Sequence, residues 1–393
     1  MKRLPVFIAT QPAGELLQES DGECVFNYHT PLPDAFVSLT MPVRAKSYAH
    51  ARLLPLFEMH LPEGYLLSVI KKHFGKLGIA DDFALLSLLA PSLKGRVTLN
   101  EQAHADTAEL ALADVLHNTS PDLFEALVQR FALHSPLSGV QPKVLAPLLD
   151  KATLRVEDFV VKSWGPDYPH LALNEWLCMR CLLEAQVEVP EFYLSEDERF
   201  FVMRRFDLHP HGGYWGFADF CVLQAKSRDE KYTGSYEQLA KSIVQFVSPA
   251  HRQPAMTQFF KALLLNQWLQ NGDAHLKNFG VLYSSLSDVR LAPIYDVVCT
   301  TAYIRRDMQA LTLRGTKRFV SPAQMRRFGI EACGLTPRQL ERAMYECVQG
   351  LAWLVSATAD LLDGSGEASR TAMLAHINRL AQRGLEAHAQ MPG

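Results

Sequence analysis

The rhythm of apolar and polar positions changes several times along the chain, and each change predicts an element. Val6–Ala9 and Cys24–Tyr28 are β-rich runs set among Pro, Gly and Asp turn residues, which predicts two short strands. Leu53–His60 and Gly64–Phe74 read as helices divided by Leu61-Pro62-Glu63-Gly64. Asp82–Ala90 predicts a short apolar helix and Gly95–Leu99 a returning strand, so that residues 1–100 make a small α+β unit. Residues 101–134 are polar, alanine-rich helical text, with Pro121 at a helix start where its missing N–H is harmless; they predict a helical connector.

From Leu137 the text turns to strand, loop, strand: SGVQPKVLAPLL and then EDFVVKSWG, in which Lys162 is the lone cation among β-formers. A helix over Leu171–Ala185 is apolar on most sides, which predicts packing between other elements. Glu191–Leu194 and Phe200–Phe206, around the polar tip Ser195–Arg199, predict a hairpin. Helices dominate the remainder. Thr257–Gln270 places Phe260, Leu264 and Trp268 on one stripe, with Asn271-Gly272 as its stop. No repeat or low-complexity tract interrupts this order, and 135–207 and 208–393 read as a strand-rich and a helical part of one core.

Composition narrows the class. At 393 residues, 48% apolar and 21% charged, the chain can bury substantial cores and is excluded from the disordered class. Thirty-nine basic residues against 42 acidic ones give a net charge of −3, so no global cationic field draws it to nucleic acid. Seven scattered cysteines, an odd number without a secretory leader, argue against a disulfide framework. No run approaches the roughly 18 apolar residues of a membrane span. A reducing, cytoplasmic setting with no membrane partner is the expectation.

The chemistry concentrates in NGDAHLKNFGVLYSSLSDVRLAPIYDVV, residues 271–298. A helix stops, Asp273, His275, Lys277 and Asn278 follow in a short loop, and a hairpin (Phe279–Tyr283 and Val289–Ala292) delivers Asp296. Phosphoryl transfer from a metal-bound nucleotide needs this set: one carboxylate to orient a hydroxyl and accept its proton, another carboxylate and an amide oxygen to hold magnesium. Asp273 and Asn278 have the D-x-x-x-x-N spacing of a kinase catalytic loop, and Asp296 would be the second metal ligand. Such a site also needs a strand lysine for the phosphates and a helix glutamate to hold it; Lys162 and Glu175 stand upstream in that order. Taken singly, each has a plainer reading: Asp and Asn in turns, an edge-strand lysine in solvent, an exposed helix glutamate.

Together, SGVQPK (138–143), VVKSWG (160–165), LNEWLC (173–178), VMRRFD (202–207), NGDAHLKN (271–278) and APIYD (292–296) resemble the HipA-like serine/threonine protein kinases, toxins of bacterial toxin–antitoxin modules, over roughly residues 1–350. The resemblance implies an α+β, protein-kinase-like two-lobed core with a small N-terminal α+β subdomain. It implies ATP and magnesium as cofactors, Asp273 as catalytic base, Asn278 and Asp296 as magnesium ligands, and Lys162 on ATP. His275 and Lys277 would support the catalytic loop or the phosphates. Met203 to Phe206, with Arg204, would form the adenine-side hinge, and Ser138, Gly139, Val140, Gln141 and Lys143 the phosphate loop. Two departures stand out. Arg204-Arg205-Phe206-Asp207 replaces a common Glu-Arg-Phe-Asp, and the phosphate loop holds the single glycine Gly139. Ser138 is the candidate for regulatory autophosphorylation and Ser135 the weaker one, since Pro136 occupies a position that is serine in some relatives; alternatively Ser138 caps a turn.

The implied partners are a translation-related protein substrate, such as glutamyl-tRNA synthetase or another aminoacyl-tRNA synthetase, and a HipB-like helix-turn-helix antitoxin through which DNA is met only indirectly. Two rival readings are a small-molecule or lipid kinase and an inactive kinase-fold binding module. Three other features read as structural. Cys178-Met179-Arg180-Cys181 lies in an apolar helix and predicts core packing; His209-Pro210-His211 reads as a solvated loop; Arg204-Arg205, Arg305-Arg306 and Arg326-Arg327 read as surface ion pairs.

Overall fold

The computed structural model describes residues 2–74, 81–101, 110–117, 120, 122–131, 141–150, 155–364 and 366–390. The chain divides into two compact units. The first comprises Met1–Ser163, Ser195–Glu230 and Leu282–Asp288, and the second Trp164–Leu194, Lys231–Val281 and Val289–Gly393.

The first unit opens with an antiparallel sheet. Strands β1 (Lys2–Ile8), β2 (Gln11–Gln18), β3 (Cys24–Tyr28), β4 (Tyr48–His50) and β5 (Val97–Thr98) lie in the order β4-β3-β2-β1-β5. β3 spans the expected residues, whereas β2 has no counterpart in the sequence reading. The β1–β2 turn explains this. Ala9 and Thr10 both take positive φ, 47° and 82°, the left-handed pair a two-residue hairpin turn demands, without the Asn-Gly text that signals it. Ala9, read as strand, is therefore turn. Gly14 then passes under Asn27, whose carbonyl oxygen would lie 2.1 Å from any Cβ placed there. Helices α1 (Pro55–Glu58), α2 (Gly64–Phe74) and α3 (Asp82–Leu89) follow; α1 is half the expected length, with Pro55 at its first position. Val6, Leu16, Phe26, Phe57 and Leu86 form the buried centre.

Helices α4 (Leu112–Leu116) and α5 (Leu123–Phe131) lead to β6 (Lys143–Asp150) and β7 (Arg155–Lys162). Pro121 lies outside the described residues. The chain continues through α6 (Leu171–Glu184) and β8 (Phe192–Leu194), both in the second unit, to β9 (Phe201–Arg204) and β10 (Gly216–Asp219), which return to the first. β7 pairs antiparallel with β6 on one side and β9 on the other, so it is a central strand and the edge-strand reading of Lys162 fails. Within β7, Asp158, 2% exposed, accepts from Lys94 Nζ at 2.7 Å and from Tyr214 Oη at 3.0 Å. Arg205 clasps both oxygens of Asp207 at 2.7 and 2.9 Å and donates to the Lys94 carbonyl at 2.7 Å.

The second unit is helical. After α7 (Phe220–Leu223, in the first unit) come α8 (Tyr236–Phe246) and α9 (Pro249–Trp268). A hairpin of β11 (Gly280–Tyr283) and β12 (Val289–Leu291) follows, its Leu282–Asp288 counted with the first unit, then α10 (Pro322–Glu331), α11 (Pro337–Asp363) and α12 (Ala368–Ala389). Ser235, Ser321 and Thr336 each cap a helix with Gln three residues on, a reciprocal pair of bonds that fixes the starts of α8, α10 and α11. α11 packs against α6, α9 and α12, and Gly350 permits its approach to α6: a Cβ there would meet the Cys181 carbonyl oxygen at 2.3 Å. Cys178 and Cys181 are fully buried in that layer, as the core reading expects, and burial pushes both thiols well up. Among the described residues no helix is long and apolar enough to cross a membrane.

Candidate active site

Helix α9 ends at Leu269, and Gln270 turns the chain with φ 53°, so the left-handed residue is a glutamine and not Gly272. Gly272 serves proximity instead. Its N–H donates to Thr300 Oγ1 at 2.8 Å, and a Cβ would stand 2.0 Å from Asp307 Oδ2. The turn is braced from within the core: Asn271 donates to Asn266 Oδ1 at 2.7 Å and accepts the Asp273 N–H at 2.9 Å. Asp273 is thus presented at a fixed backbone, its side chain 46% exposed.

The loop folds back on its aspartate. His275 N–H and Asn278 Nδ2 both donate to the Asp273 carbonyl, at 2.7 and 2.8 Å, and Asn278 N–H donates to the His275 carbonyl at 3.0 Å. His275 and Lys277 are 5% and 8% exposed, inside the loop's support. The His275 Nε2 stands 3.8 Å from Asp273 Oδ1, an ion-pair distance rather than a hydrogen bond. Tyr295 Oη donates to the Lys277 carbonyl at 2.6 Å, which ties the segment carrying Asp296 to the loop. Asn278 and Asp296 line one small, closely packed cleft together with Asn266, Asn271 and Ala274. Asp296 holds φ 62°, a left-handed backbone that Asp tolerates better than most residues and that concentrates at functional sites.

Among the described residues no three His, Cys, Asp or Glu side chains gather to cage an ion. An amide oxygen and one carboxylate suit magnesium that completes its shell with water and nucleotide phosphates, the usual arrangement for that ion. The residues fit the implied metal in that sense.

In the first unit, β6 and β7 pair so that Lys143 stands directly opposite Lys162, and residues opposed in an antiparallel pair project from the same face. The two are 8% and 2% exposed. Gln141 donates to the Ser163 carbonyl at 3.4 Å, closing the same end of the strand pair. Met203 is buried, and Phe206 packs edge-on against Phe217 at 5.5 Å. The Arg204 guanidinium is committed to Glu157, at 2.5 Å. Ser138, Gly139 and Val140, with Ser135 and Pro136, lie outside the described residues. Glu175, in the second unit, is fully buried in α6, against the reading of an exposed helix glutamate.

Tyr232 was invisible to sequence reasoning. It lies in KYTGS, 41 residues before the loop, and donates from Oη to Asp273 Oδ1 at 2.6 Å. No motif marks it. Of the arginine pairs, Arg204, Arg205 and Arg326 are spent on Glu157, Asp207 and Glu341. His209 packs against Trp215 with ring centroids 4.9 Å apart and planes tilted at 43°, outside any metal cluster among the described residues.

These features define a mixed α+β protein of protein-kinase-like fold. Comparison with known proteins makes the assignment specific. Residues 4–100 match the HipA N-terminal domain and residues 135–353 the HipA-like C-terminal domain, and the chain belongs to the HipA-like family. "Putative kinase Y4dM" of Sinorhizobium fredii is 26% identical over 357 residues, 81% of this chain and 82% of that one. A "Putative kinase" of Haemophilus influenzae is 32% identical over 186 residues, 42% of this chain and 53% of its own length. Among solved structures, HipA of Shewanella oneidensis, in complex with HipB and its operator DNA, superposes with a TM-score of 0.71 at 18% identity. That match covers 98% of this chain and 96% of the other.

Proposed function

We propose that the chain is an ATP- and magnesium-dependent serine/threonine protein kinase and the toxin of a type II toxin–antitoxin module. The carrying observation is the catalytic loop. Asp273 is half-exposed on a braced backbone, Asn278 bonds back to its carbonyl, and Asn278 and Asp296 line one cleft. Asp273 orients the acceptor hydroxyl and takes its proton as the oxygen attacks the γ-phosphorus of ATP, whose bond to the bridging oxygen breaks so that ADP leaves. Asn278 and Asp296 hold magnesium, which when bound neutralises charge on the phosphates. Lys162 and Lys143 supply positive charge for the phosphates, Gln141 with Ser138, Gly139 and Val140 the phosphate loop, and Glu175 keeps the helix-glutamate role that the family resemblance implies. Met203 to Phe206 border the adenine, with Arg204 contributing backbone alone. His275 and Lys277 keep the loop in shape.

In the cell, phosphorylation of a translation-related protein, such as an aminoacyl-tRNA synthetase, would arrest growth. A HipB-like antitoxin would restrain the kinase and link it to operator DNA, and autophosphorylation at Ser138 would regulate it. The test compares wild type with Asp273→Asn, each with and without a neighbouring antitoxin gene, by growth, labelled-ATP transfer and phosphoproteome. Wild type arrests growth and labels protein, and the variant does neither. Equal toxicity of both, or absence of Mg·ATP binding by wild type, overturns the proposal; transfer to a sugar or lipid alone replaces the substrate class.

A further inference from the structure

The segment Lys231–Tyr236 is bonded to successive positions of the catalytic loop. The Leu276 N–H donates to the Lys231 carbonyl at 3.1 Å, and Tyr236 Oη donates to the Ala274 carbonyl at 3.0 Å. Between these two backbone clamps Tyr232 Oη reaches the Asp273 carboxylate at 2.6 Å. Its ring stands edge-on to His275, with centroids 5.0 Å apart and planes at 81°. Lys317 Nζ holds the Tyr232 carbonyl at 3.4 Å, and Thr312 bonds to Gly234 and Tyr236 on either side, so the segment is fixed at both ends.

The two tyrosines do different work. Tyr236 is 1% exposed, and its bond ends on backbone; it shapes the loop. Tyr232 is 40% exposed, and its bond ends on the one oxygen pair that must face an acceptor hydroxyl. A carboxylate rotates about its Cβ–Cγ bond unless one oxygen is anchored, and anchoring Oδ1 fixes the plane in which Oδ2 is presented. A phenol suits this role because it donates without adding a charge that would compete with the nucleotide's magnesium.

We propose that Tyr232 is the positioning residue for Asp273, holding one carboxylate oxygen so that the other meets the substrate hydroxyl in line. This rests on the phosphotransfer reading and is separable from it. The experiment measures steady-state transfer of labelled phosphate, KM for ATP and melting temperature in full-length wild type, Tyr232→Phe, Tyr232→His and Tyr236→Phe. Tyr232→Phe lowers kcat about 10-fold while KM for ATP and the melting temperature stay at wild-type values, because orientation and not nucleotide binding is lost. Tyr232→His, which restores an N–H donor, recovers part of kcat. Tyr236→Phe lowers the melting temperature. Wild-type kcat in Tyr232→Phe, a higher kcat, or a fall in kcat accompanied by a raised KM and lower melting temperature overturns the positioning role alone. Absence of transfer by wild type overturns the phosphotransfer reading and the tyrosine's role with it.

Discussion

Asp158 and Asp273 carry the same side chain, and their surroundings separate structure from chemistry. Asp158 is 2% exposed and takes an ammonium at 2.7 Å and a phenol at 3.0 Å, within a cluster that also holds Arg205 and Asp207. Both oxygens of this buried carboxylate are engaged; it ties residue 94 to residue 158 and costs dearly to break. Asp273 has a side chain 46% exposed, receives a hydroxyl on one oxygen, and is supported through its backbone by Asn271, His275 and Asn278. The first arrangement spends the charge. The second keeps it presented.

That contrast can be broken by experiment. The largest effect belongs to Asp273→Asn: phosphoryl transfer falls about 10³-fold, roughly 4 kcal/mol of barrier, with the denaturation midpoint unchanged. Asp158→Ala does the opposite, costing about 3–5 kcal/mol of stability in a urea titration, because Lys94 and Tyr214 both lose the buried carboxylate they donate to. A stable Asp158 variant, or an unfolded Asp273 variant, would reverse the assignment of the two. Gly272→Ala, which forces Asp307 away from the loop, costs about 1–3 kcal/mol and lowers kcat as well, since the displaced turn carries Asp273.

A smaller effect tests whether pairing, rather than the unit, makes the difference. In the second unit Lys261 Nζ, 4% exposed with its residue, bonds Glu346 at 2.9 Å and the Ala185 and Gln186 carbonyls. Burial by itself would raise the Glu346 carboxyl, but bonds from Lys261 and Arg342 outweigh it and hold the group below the ordinary glutamate range. The folded state therefore binds fewer protons than the unfolded one there. The pair's stabilisation is complete above the ordinary carboxylate pKa and is lost as pH falls through the lowered one. Glu346→Gln should flatten the acid limb of melting temperature against pH without moving kcat at neutral pH. Smallest of all, the seven cysteines are buried and unbridged, so native protein should leave a thiol reagent unconsumed that takes up seven equivalents in denaturant.

Much of the fold was legible because it is written locally. The strand Cys24–Tyr28 and the helices Gly64–Phe74 and Leu171–Glu184 lie where periodicity and turn residues put them. Strand β2 escaped because its turn uses Ala9 and Thr10 at positive φ, and neither residue announces that conformation. The end of α9 was misplaced for a related reason: a glutamine took the left-handed position, while the glycine two residues on was needed for the approach of Asp307.

The site divides in the same way. Spacing alone brought out Asp273, Asn278 and Asp296, since a loop and a hairpin are short-range objects, and the assembled motifs led to the HipA-like family. What the linear text could not contain is which distant side chains meet. The register that sets Lys143 opposite Lys162 follows from pairing two strands, and the hydroxyl that anchors Asp273 comes from a residue 41 positions away. Local propensities act over a few residues, so the sequence by itself determined the elements and the residues able to do the chemistry. Packing acts across the whole chain, and it alone decided that Asp158 is engaged on both oxygens while Asp273 lies half-exposed.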